Sequence, residues 1–109
     1  MAMGQQIIFG SVTAQGEPRG EGFFVQKVEK HTGMFDVLFV NGAHFLEPPA
    51  VVATQLYPDD PTSTTIVNTL ANLVILGVTK DRFRIQTGAP NGHPLARGFS
   101  FVAVGFSLE

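Results

Sequence analysis

Cysteine and tryptophan are both missing from these 109 residues. Without cysteine there is no disulfide, no thiolate metal site and no cysteine nucleophile. Tyrosine occurs once, at Tyr57, which leaves few rings for stacking on a flat ligand. Charge is scarce as well: only 15% of residues are Asp, Glu, Lys or Arg, and the formal net charge is −2. That balance offers no basic field for nucleic acid or for an anionic membrane. No apolar run reaches the ~18 residues of a membrane helix. The start, Met1 to Gln6, lacks the charged, apolar, small-residue order of a signal peptide.

What is present is apolar. The length predicts one domain, residues 1–109, and a hydrophobic content of 44% predicts a surface partly covered by a partner or by copies of the chain itself. Met1-Ala2-Met3 and Leu108-Glu109 read as cloning additions and are left out of the fold reading.

Period-two alternation runs through most of the chain. Gln5 to Val12 reads as a first strand and Gly22 to Val28 as a second, with turn chemistry from Thr13 to Gly20 between them. Met34 to Tyr57 holds two strand patterns joined across a turn that closes with Pro48-Pro49, where helix is blocked and two ladder donors are lost. A surface loop follows from Pro58 to Thr64. Asn72 to Thr79 reads as strand because Leu73-Val74-Ile75-Leu76 has no polar position. Lys80-Asp81 makes a hairpin connection into Arg82 to Thr87, with Phe83, Ile85 and Thr87 inward and Arg82, Arg84 and Gln86 outward. Gly88 to Pro94 is turn-rich, and Gly98 to Ser107 closes the chain with Phe99, Phe101 and Ala103 on one face. The expected fold is an all-β, six- to seven-stranded antiparallel β-sandwich. The strands around Leu38, Ile75 and Val102 are apolar on both faces, which predicts sheet-to-sheet packing of identical subunits.

Motifs of chemistry are sparse. Arg97 to Val104 nearly spells the RNA-recognition octapeptide, but the upstream helix is missing and the net charge is negative, so packing alternation explains those residues. His31, His44 and His93 sit in separate turns with no ligand spacing, and neither a metal nor a cofactor is expected. No serine lies in a nucleophile elbow, and no glycine-rich loop opens a helix. Asp59-Asp60 is the only pair that suggests glycoside hydrolysis, and a solvated loop explains it more simply. The outward Arg82 and Arg84 either solubilise their face or line a groove between subunits.

The order Phe39, then Phe45-Leu46-Glu47-Pro48-Pro49-Ala50-Val51-Val52-Ala53-Thr54-Gln55-Leu56, then Asn72 to Phe83, then Phe99 to Gly105 resembles the H-type lectin family and the related C-terminal tip domains of phage tail fibres. The resemblance covers roughly residues 34–106. It implies a homotrimer, or a dimer of trimers, that binds a glycan or cell-surface polysaccharide without enzymatic activity, at clefts between subunits. In that family an acidic residue before the central strand, an arginine on a middle strand and a His/aromatic pair before the last strand hold the sugar. Glu29 or His31 falls in the first region, and Asn91 and His93 in the last. At the middle position stands Val74, so Arg82 or Arg84 would have to substitute. The alternatives are a structural trimerisation module of a fibre and a glycan hydrolase. The sequence leaves the location open between a virion tail fibre and a bacterial cytoplasmic or exported product.

Overall fold

The computed structural model describes residues 3–40, 45–67, 69–70 and 72–108, and none of these is helical. Eight strands occur in chain order: β1 (Met3–Val12), β2 (Pro18–Gly20), β3 (Phe23–Lys27), β4 (Met34–Phe39), β5 (Ala50–Leu56), β6 (Leu73–Val78), β7 (Arg82–Thr87) and β8 (Gly98–Leu108). They form two antiparallel four-stranded sheets, ordered β2-β1-β8-β5 and β3-β4-β7-β6. The architecture is the expected all-β, sandwich-like one.

Three expectations change in detail. Residues 18–20, read as turn, pair with Gly10 to Val12 as the short edge strand β2. Pro18 fits there because an edge strand can forgo a ladder donor. The strands flanking Pro48-Pro49 are not partners: β4 pairs β3 and β7, whereas β5 pairs β8 in the opposite sheet. Met3 and Leu108, set aside on sequence, pair as the outermost rung of β1 and β8.

Aromatic rings join the layers. Phe99 and Phe101 of β8 meet Phe35, Phe23 and Phe83 from the other sheet, with ring centroids 5.7 Å apart for Phe35–Phe99, 4.9 Å for Phe23–Phe101 and 5.0 Å for Phe83–Phe101. Ile8, Val12, Val37, Ile85 and Ala103 fill the remainder. Gly10 is required beside them, since a Cβ there would lie 2.5 Å from the Phe23 ring. Because Phe99 and Phe101 are buried, the near-octapeptide of β8 has its rings in the core and not on a stacking surface.

The two outer faces differ. On the β3-β4-β7-β6 sheet, Arg84 donates from Nε and a terminal nitrogen to the two oxygens of Asp36, at 2.7 and 2.9 Å, while Arg82 approaches the same carboxylate at 3.9 Å. Asp36 is buried beneath these guanidinium groups. The Arg84 hydrogen bonds, opposed by desolvation and aided by the charges of Arg84 and Arg82, hold its carboxyl below the usual range. A depressed folded-state pKa gives stability that is present above the unfolded value of 3.8 and lost as pH falls through the folded value. Asp36→Asn should therefore cost about 1–2 kcal/mol at neutral pH, Arg84 being half exposed. It should also flatten the acid limb of stability below about pH 4. Urea melts at pH 7 and pH 3 check this, and an unchanged acid limb would count against it.

The other sheet presents hydrocarbon. Phe9 and Val52 flank Val102, Ile7 and Ala50 flank Val104, and Gln5 lies beside Phe106. No charged residue stands in these rows, and Val52 and Phe9 are 72% and 64% exposed.

Candidate functional site

Alternation sends β1, β3, β5 and β7 toward the same end of the sandwich, where β4, β6 and β8 begin. The connections 13–17, 28–33, 57–72 and 88–97 therefore crowd together. Thr87, fully buried, ties two of them. Its hydroxyl donates to the Leu95 carbonyl at 2.6 Å and accepts the Arg97 N–H at 3.1 Å, and its own N–H donates to the Gly33 carbonyl at 2.9 Å. Gly33 makes the close approach possible: its φ is +73°, and a Cβ would lie 2.7 Å from the Leu95 oxygen.

Three neighbouring cavities that share lining residues make up a grooved surface at this end. The first, about 600 Å³, is lined by Lys27, Glu29, Lys30 and His31 and reaches Ala14 and Ala96. Those alanines also border the second, about 330 Å³, walled by Arg19, Tyr57, Asp59 and Arg97. Tyr57 and Arg97 in turn border the third, about 220 Å³, together with Thr54, Gln55, Thr69 and Asn72.

The centre is built from side chains that brace one another. The Arg97 guanidinium lies 3.7 Å from the centre of the Tyr57 ring, a cation–π arrangement. Arg97 also donates to the Gln55 side-chain oxygen at 3.2 Å, and the Gln55 amide nitrogen donates to the carbonyls of Asn72 and Gly88 at 2.8 and 2.9 Å. Gln55 thereby clasps β5 to the opposite sheet. Arg19 pairs with Asp59 at 2.8 Å. Lys30 and Asp59, with φ of 66° and 68°, hold left-handed backbone in loops of this groove, a local strain that collects at functional sites.

The residues expected from sequence divide three ways. Glu29 and His31 are exposed and line the first cavity. Asn91 and His93 occupy the neighbouring 88–97 loop but line none of the three cavities, and the Asn91 side chain turns back to accept the His93 N–H at 3.0 Å. Arg84 and Arg82 stand apart, engaged with Asp36 on the outer sheet face. Arg82 begins β7, roughly 16 Å along the strand from Thr87 at ~3.3 Å per residue. His44 lies outside the described residues. Reading the sequence missed Tyr57, Gln55, Arg97 and Arg19. A signal existed in Gln55, a polar residue on the inward face of Val51 and Ala53, and in a lone tyrosine at a strand end.

The chain matches no protein-family model, no curated protein and no solved structure. What the groove can bind follows from its own side chains. Asp60 accepts the Thr62 N–H and hydroxyl, which hold its carboxyl below the usual range, the wrong direction for a general acid. Asp59 is engaged by Arg19. Among the described residues no group of three His, Cys, Asp or Glu side chains could hold a metal ion. The inventory combines guanidinium, ammonium, amide, imidazole and two carboxylates around a half-exposed phenol ring, a set suited to hydroxyl-rich ligands.

Proposed function

We propose that this chain is a non-enzymatic, lectin-like carbohydrate-binding module of H-type lectin character, acting as a homotrimer at the receptor-binding tip of a phage or phage-like fibre. One observation carries the reading: the only tyrosine is braced by Arg97 and Gln55 in a polar groove at the end where four loops meet. A sugar ring lays its apolar face on an aromatic ring, and its hydroxyls take hydrogen bonds from neighbouring donors. Thr54 borders both this groove and the apolar outer face of β1, β8 and β5. Copies of the chain packed through that uncharged face would bring the groove to the seam between subunits. Three linked weak sites would then raise avidity by ~10²–10⁴.

Screening the chain on immobilised glycans tests the reading. Binding to a defined saccharide is expected, and Tyr57→Ala should lower it by at least about tenfold, the loss of one stacked ring. An empty screen would refute the reading. The uncharged sheet face favours a second one, a structural trimerisation module, in which Tyr57→Ala would leave cell adsorption intact.

A further inference from the structure

We infer that the groove selects saccharides carrying a carboxylate, and that Arg97 is the residue that engages the acid. This rests on the carbohydrate reading above. The other arginines of the sheets and loops have acidic partners: Arg84 and Arg82 face Asp36, and Arg19 holds Asp59. Arg97 has none among the described residues. Its side chain meets one acceptor, the neutral Gln55 amide oxygen at 3.2 Å, and its buried Nε donates to nothing. A partly buried cation without a counter-ion is costly, and an anion brought by a ligand offsets that cost.

The geometry suits such a ligand. Stacking on Tyr57, the Gln55 bond and the backbone bond to Thr87 hold the guanidinium in place, so little freedom is lost on binding. A planar guanidinium matches a carboxylate through paired hydrogen bonds. The groove reinforces the preference. Its lining has four cations, Lys27, Lys30, Arg19 and Arg97, against the carboxylates of Glu29 and Asp59, in a chain whose net charge is −2. Asp59 is already neutralised by Arg19.

Titration calorimetry on the intact assembly with an oligogalacturonate, its methyl ester and a sulfated galactan tests this. The free acid is expected to bind at least about tenfold tighter than the ester, with weakening as salt rises. Arg97→Gln should remove the preference. Arg97→Lys, which keeps the charge and loses the fork, should reduce it with an unchanged melting temperature, and decides the matter if the glutamine variant fails to fold. Equal binding of acid and ester, or a preference for the sulfated chain, would overturn the inference while leaving the carbohydrate reading standing. Retention of the acid preference in both Arg97 variants would overturn the residue assignment. Silence toward every saccharide would defeat both readings together.

Discussion

Phe83→Ala should lower the free energy of unfolding by about 3–5 kcal/mol, the cost of an aromatic-sized cavity in a core that cannot collapse around it. Phe83 is fully buried on β7 and touches both the opposite sheet, through Phe101 at 5.0 Å, and the rim, through Phe39 at 6.0 Å. Phe39 in turn leans on Phe45 at 5.1 Å, so one truncation loosens a chain of rings. Against a total stability of roughly 5–15 kcal/mol, the loss consumes a large share of the margin. Urea denaturation followed by circular dichroism would measure it. A change below about 1 kcal/mol would mean that the sheets do not meet at this ring.

The second large effect concerns assembly. Val102→Lys should convert the proposed trimer to monomers while leaving the fold intact. Val102 sits at the centre of the uncharged face, with Phe9 and Val52 directly across on the neighbouring strands, and its side chain points away from the core. In a lone subunit the substitution adds a solvated charge and costs little. Within an interface it buries an unpaired ammonium in each copy, at about 3–5 kcal/mol apiece. Light scattering should show the mass falling to that of one chain, with an unchanged β-sheet spectrum. A wild-type chain that is already monomeric would remove the basis of the prediction, and with it the avidity argument.

The alternation of β7 and β8 was legible because side-chain direction in a strand is a local property with a period of two. Phe83, Ile85, Thr87, Phe99, Phe101 and Ala103 are buried as that period requires. The same logic separated Arg82 and Arg84 from the core. It could not show that they would gather on Asp36, since the cross-strand neighbour depends on pairing between residues 48 positions apart. Glu29 and His31, expected on the resemblance alone, are placed by the structure on the wall of the first cavity. Tyr57 and Arg97 were not expected, because they lie far apart in the chain, at the end of β5 and the start of β8, and meet only when those two strands pair.

The amino-acid order by itself determined that this is an all-β chain and which residues of β7 face inward. These follow from local periodicity and composition, which need no knowledge of partners. Tertiary structure alone decided that β4 and β5 belong to opposite sheets, that residues 18–20 form an edge strand, and that the groove centres on Tyr57, Gln55 and Arg97. Those outcomes depend on which distant strands pair, and pairing is selected by how well the aromatic faces of two whole sheets fill one another, a property no short window of sequence contains.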